Sequence, residues 1–159
     1  MIHNKILIDS AFLDYAQGLI MSAKKTIYLS SFKVEIGNKS RFTKLNTFFE
    51  SLIKIKKLGV DVRLLTNKQG EQGYTPHTNA RVLNTLKKEG IGVRTLRNNR
   101  ICHAKLILID DLYGIVGSHN LSLKSCKNNF EVSYLVTEKF IISELVAQYI
   151  KLWYSGKDA

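Results

Sequence analysis

The chain has 159 residues, 45% hydrophobic and 23% charged, with 24 Lys and Arg against 13 Asp and Glu and a formal net charge of +11. That length holds one domain with a hydrophobic core, read here as residues 1–159, and the composition excludes a disordered chain. Two cysteines, Cys102 and Cys126, make neither a disulfide framework nor a metal site, and no apolar run reaches the roughly 20 residues of a membrane span.

Apolar periodicity alternates between helix and strand along the chain. Ser10 stands as a cap before a helix over residues 11–24, whose apolar face is Phe12, Leu13, Tyr15, Ala16, Leu19, Ile20 and Ala23. The segment "KKTIYLSSF" reads as a strand ending near Phe32 and "KVEIGNKS" as a loop in which Ser40 caps a second helix. That helix runs to about Lys57 and stops at Gly59, and "VDVRLLT" follows as a second strand. The loop "NKQGEQGYTPH" carries the only proline, Pro76, and its Lys68, Tyr74 and His77 are expected on an ordinary surface loop rather than against substrate. A third helix from residue 78 to Lys88 stops at Gly90, and "IGVRTL" is the third strand.

Beyond residue 100 the rhythm changes. "CHAKLILID" and "YGIVG" lie too close for a helical crossover, so they are expected to pair as an antiparallel hairpin around Asp110, Asp111 and Leu112. "FEVSYLV" is a further strand, and Thr137 is the expected cap of a last helix carrying Phe140, Ile141, Leu145, Val146, Tyr149 and Trp153. The order implies an α/β fold, a three-layer α/β/α sandwich with a mixed central sheet.

In a strand, residues two apart share a face, so His103 and Lys105 point the same way while the apolar Ile107 continues that face into the core. Phosphoryl transfer explains such a pair. A neutral imidazole can attack phosphorus, a lysine can neutralise non-bridging oxygens, and the Asn120 amide in "GSHN" can donate to the same group. Gly117 allows a close turn, Ser118 adds a hydroxyl, and Glu131 on the next strand is the candidate to hold the second imidazole nitrogen. No metal or cofactor is called for.

The ordered set His103, Lys105, Asp110, Gly117, Ser118 and Asn120 resembles the signature of the phospholipase D superfamily, and Glu131 matches the acidic residue that follows it in many members. The preceding strand and helix order resembles the superfamily's small single-motif bacterial endonucleases, so the fold implied is a phospholipase D-like half-unit. The resemblance implies a metal-independent reaction in which His103 forms a phosphohistidine, a second histidine protonates the leaving oxygen and water releases the phosphate. Lys105 and Asn120 would bind non-bridging oxygens, Glu131 would orient His103, and Asp110 would stabilise the loop and its charges. Full-length members carry the motif twice and this chain carries it once, so a homodimer with a shared active site is expected.

Charge orders the substrates. The excess of cations attracts polyanions, and residues 81–105 hold Arg81, Lys87, Lys88, Arg94, Arg97, Arg100 and Lys105 against Glu89 alone. Arg97 and Arg100 are candidate contacts to flanking phosphates. The reading is a nuclease, DNA ahead of RNA, with a separate specificity subunit or domain as a further expected partner. A phospholipase D or phosphatidyl transferase and a non-catalytic nucleic-acid-binding component are the alternatives. The reducing cytoplasm is the expected compartment, since the first residues lack a secretory pattern.

Overall fold

A computed structural model describes residues 2–35, 43–67, 78–98 and 100–159. Their elements run β1 (Lys5–Ile8), α1 (Ala11–Ser22), β2 (Thr26–Ser30), α2 (Thr43–Lys57), β3 (Asp61–Thr66), α3 (Thr78–Lys88) and β4 (Gly92–Thr95). They continue with β5 (Leu106–Ile109), β6 (Tyr113–Gly117), α4 (Leu123–Lys127), β7 (Val132–Val136), α5 (Lys139–Ser155) and β8 (Lys157–Asp158). Ser40, Lys68, Tyr74, Pro76 and His77 lie outside the described residues.

The strands form one mixed sheet in the order β1-β7-β6-β5-β2-β3-β4-β8. β2, β3 and β4 are parallel, joined by helices that cross over the sheet, while β5, β6, β7 and β1 pair antiparallel. Alternation along the strands sorts two cores. Ile107 and Ile109 pack with Leu13, Phe48, Phe49 and Leu86 beneath α1, α2 and α3, whereas Leu108 and Leu65 pack with Tyr149 and Trp153 of α5. The fold is therefore the expected α/β/α sandwich with a mixed central sheet, three helices on one face and α5 on the other.

Local chemistry explains several joints. Asp110 and Asp111 adopt φ of +54° and +55°, a left-handed pair that aspartate tolerates in a tight hairpin turn. Gly59 and Gly90 adopt φ of +96° and +78° where α2 and α3 end. At Gly117 a Cβ would collide with the Ser133 side chain and the Val132 carbonyl, so only glycine lets β6 approach β7 there.

Sequence patterning missed β1, α4 and β8, and several boundaries move. Ser10 sits before α1 as expected, but its backbone is already helical and its side chain makes no capping bond. The residue before α5 is Glu138, not Thr137. The strand expected from Cys102 begins only at Leu106, because β2 ends at Ser30, the partner of Leu106. His103 and Lys105 therefore lie on the lead-in to β5, not within it.

Candidate functional site

The lead-in to β5 is fastened from the next strand over. Asn67, buried at the end of β3, accepts from the Cys102 N–H at 2.9 Å and donates its amide to the Cys102 carbonyl at 3.0 Å, imitating a strand partner where the ladder has run out. The same amide reaches the Phe32 carbonyl at 3.2 Å. Phe32 in turn packs on the His103 ring, with centroids 5.0 Å apart. One buried amide thus fixes both the backbone before the histidine and the aromatic wall beside it.

His103 is exposed and Lys105 half-buried. The Lys105 Nζ donates to the His103 carbonyl at 2.6 Å and lies 3.1 Å from Nδ1 and 3.4 Å from Nε2 of the ring. Burial pulls the Lys105 ammonium below its ordinary pKa, opposed by the charge of Glu131. Both residues line an open cleft of about 580 Å³ together with Leu106, Gly117, Ser118 and Asn120. A second cleft, of about 560 Å³, lies between the start of α1 and residues 126–130 and contains none of these six.

Asn120 is held by its carbonyl end. Its Oδ1 accepts the Lys33 N–H at 3.1 Å and faces the Ser31 hydroxyl at 3.4 Å, which leaves the amide Nδ2 as the end that donates. The Asn120 backbone N–H donates to Ser125 Oγ at 2.8 Å, and that hydroxyl donates to Glu131 Oε1 at 2.8 Å. Glu131 is buried and also accepts from Asn129 at 2.9 Å. Burial alone would raise its pKa; hydrogen bonds from Ser118, Asn129 and Ser125 and the nearby His119 outweigh it and hold the carboxyl below the ordinary range.

Within one copy these contacts turn Glu131 away from His103. Its carboxylate makes no hydrogen bond to His103, whose ring faces Lys105 and Phe32, because the polar groups of the loop 118–129 have engaged it. The connection from Glu131 to the cleft runs through Ser125 to Asn120.

Asp110 is likewise separated from the chemistry. It sits beyond the far end of β5, where its carboxylate accepts the N–H groups of Lys24, Lys25 and Thr26 at 2.7, 2.7 and 2.8 Å. It pins the start of β2 to the hairpin. Arg97 and Arg100 are exposed on the connection from β4 and do not line the His103 cleft, and the Arg97 Nε donates to the Gly156 carbonyl at 3.3 Å. His119 is buried, stacked on Phe12 at 4.3 Å and bonded to Ser133 and the Asp9 carbonyl, so it cannot act as a second histidine within the same copy. Burial lowers its pKa, against the Asp9 carbonyl and the charges of Glu131 and Asp9.

A family model described as cardiolipin synthase, phospholipase D-like domain, matches residues 17–153. The chain belongs to this family. Cardiolipin synthase 1 of Staphylococcus aureus is 30% identical over 131 residues, 82% of this chain and 25% of that protein. The cardiolipin synthase of Listeria welshimeri is 30% identical over 128 residues, 80% of this chain and 24% of that protein. The chain thus spans about a quarter of the length of these relatives. Among solved structures, Nuc from Salmonella typhimurium, a phospholipase D family member, superposes with a TM-score of 0.80 at 20% identity, covering 99% of both chains. NucT from Helicobacter pylori superposes with a TM-score of 0.78 at 17% identity, again covering 99% of both. The fold is therefore that of a phospholipase D-like unit of the same extent as those small proteins.

The candidate site includes residues that sequence reading missed. Phe32, Asn67 and Ser125 come from segments with no motif signal, brought in by the pairing of β2, β3 and β5 and by α4. A sequence hint existed only for Phe32, at the end of an apolar strand, where binding residues gather in α/β sheets.

Proposed function

We propose that the protein is a metal-independent nuclease that cleaves phosphodiesters through a phosphohistidine on His103, in an active site completed by a second copy of the chain. The observation that carries this reading is that His103, Lys105 and Asn120 line one open cleft. Family membership supports phosphodiester chemistry, and the net charge of +11 supports a polyanionic substrate, DNA ahead of RNA.

The phosphodiester enters with its non-bridging oxygens toward Lys105 and Asn120. The ammonium that lies against the imidazole turns to a phosphate oxygen and releases the ring for attack. A His103 ring nitrogen forms the bond to phosphorus while the bond to the leaving oxygen breaks, and that oxygen takes a proton from His103 of the partner copy. Water, deprotonated by the same partner histidine, then displaces the phosphoryl group and restores both imidazoles. Glu131 is a positioning residue that acts through Ser125 on Asn120. Residues 1–159 form one catalytic unit, and the cytoplasm is its proposed compartment.

A lipid reading has its own support, the match to a family described by cardiolipin synthase and to two such synthases. One experiment separates the two. Plasmid DNA, single-stranded RNA and vesicles containing an anionic phospholipid are offered in excess EDTA to the same preparation. Turnover of polynucleotide above lipid is expected; turnover of lipid alone would move the substrate to phospholipid with the same catalytic residues.

A further inference from the structure

The second cleft, of about 560 Å³, has the size of a small-ligand pocket. Two buried apolar residues line it, Leu13 of α1 and Cys126 of α4. Lys127, Asn128, Asn129 and Phe130, consecutive and all exposed, line it as well, with Lys44 of α2. At 79% exposure Phe130 is the most exposed large apolar side chain among the described residues. Lys44 is taken up by Asp14 at 2.7 Å, whereas Lys127 makes no ion pair and the Asn128 amide no hydrogen bond among the described residues. The lining carboxylate, Asp9, accepts the Glu131 N–H at 2.9 Å. One loop ties this cleft to the His103 site. Ser118 and Asn120 at its start line the His103 cleft, and residues 126–130 at its end line the second. Glu131 joins the two ends, accepting from Asn129 and from Ser125, the hydroxyl to which the Asn120 N–H donates.

We propose that the second cleft is a nucleotide subsite, which takes one nucleotide of the strand cleaved at His103 with its base stacked on Phe130 and a phosphate against Lys127. The proposal rests on the nuclease reading above and deepens it. A ring open to water, an unpaired cation and free amides are the groups that hold an unpaired nucleotide. Every base has a face to stack, every phosphate a charge, and every base edge donors and acceptors that an asparagine amide can match. Here the run Lys127, Asn128, Asn129, Phe130 supplies phosphate, base-edge and base-face contacts in consecutive positions. A strand whose phosphate lies between Lys105 and Asn120 has the second cleft at the other end of the same loop, so both contacts fall on one substrate. An anionic membrane would also use a ring and a cation, but it meets helix faces and protruding side chains at a broad surface. A cleft edged by two amides favours the nucleotide. Only the nucleotide in the cleft has to be unpaired.

The test uses the whole chain as wild type, Phe130→Ala and Lys127→Ala, both changes at exposed side chains, with circular dichroism and sedimentation mass on each. Two substrates are compared in excess EDTA, a single-stranded oligodeoxynucleotide and bis(p-nitrophenyl) phosphate, a diester with no flanking nucleotide. The ratio of kcat/KM for the first to that for the second is expected to fall about 10-fold in Phe130→Ala, the loss of one stacked base. Oligonucleotide affinity, read by fluorescence anisotropy in a His103→Ala background, is expected to fall by a similar factor in Phe130→Ala with its salt dependence unchanged. In Lys127→Ala the slope of log affinity against log salt should drop by about 0.7, one phosphate contact on a single strand. Wild-type cleavage of the oligonucleotide with an unchanged ratio and affinity in Phe130→Ala overturns the subsite and leaves the nuclease reading standing. Binding that depends on Phe130 without polynucleotide cleavage keeps the subsite and overturns the nuclease reading. A wild type that neither binds nor cleaves the oligonucleotide overturns both. A loss that accompanies a change in mass gives Phe130 to a contact between copies and overturns the subsite, as does Phe130-dependent binding to vesicles of an anionic phospholipid with an unchanged ratio.

Discussion

Lys105 has two proposed positions, against the imidazole of His103 and on a phosphate oxygen during the reaction. Lys105→Ala removes both, along with the hydrogen bond to the His103 carbonyl. It is expected to lower the rate of cleavage about 10²- to 10³-fold with little change in melting temperature, checked by single-turnover kinetics beside calorimetry. Glu131 gives a different signature. Its pKa is held below the ordinary carboxylate value in the folded state, so it contributes stability that is present above about pH 4.3 and is lost as pH falls through the lower folded value. Glu131→Gln should abolish that part of the acid dependence, read as urea midpoints between about pH 3 and 6, and should lower cleavage through Asn120 without changing its pH profile near neutrality. A shifted neutral limb would restore direct contact between Glu131 and His103.

At the scale of elements, the hairpin of β5 and β6 explains what was legible in the sequence. His103, Lys105, Gly117, Ser118 and Asn120 sit on consecutive antiparallel segments, so their spacing in the chain already encodes their closeness in space. Asn67, Phe32 and Ser125 reach the site only through sheet order and the α4 turn, and no spacing announces them. Glu131 shows the same limit. Its strand could be read, but the three polar side chains that engage its carboxylate could not. β1 escaped because four residues, "KILI", make a strand only through their partner β7. Asp110 belongs to the hairpin too, where its carboxylate braces the start of β2. Loss of its carboxylate in Asp110→Ala orphans the N–H groups of three consecutive residues, and a destabilisation of about 2 kcal/mol is expected in chemical denaturation. Cleavage per folded molecule should stay within about twofold, since the turn lies at the far end of β5 from His103.

For the whole molecule, the proposed two-fold dimer with one composite site makes a quantitative prediction. Mixing wild type with His103→Ala tests this quantitatively. If each site needs a histidine from both copies, activity after subunit exchange should fall as the square of the wild-type fraction; a linear fall would mean independent sites. His119 adds a stability trend of the intact molecule. Its folded pKa lies below 6.5, so its burial favours folding fully above about pH 6.5 and progressively less as pH drops below it. The described residues contain no helix long and apolar enough to cross a membrane, and Cys102 and Cys126 are free, buried thiols pushed by burial up to about 11 and about 12.

The most direct measurement is single-turnover cleavage of plasmid DNA in excess EDTA by the wild type and by His103→Ala, both shown to be folded. Cleavage by the wild type and a loss on the order of 10³-fold or more in the variant are expected. Equal cleavage by the two folded proteins would contradict the proposed role of His103.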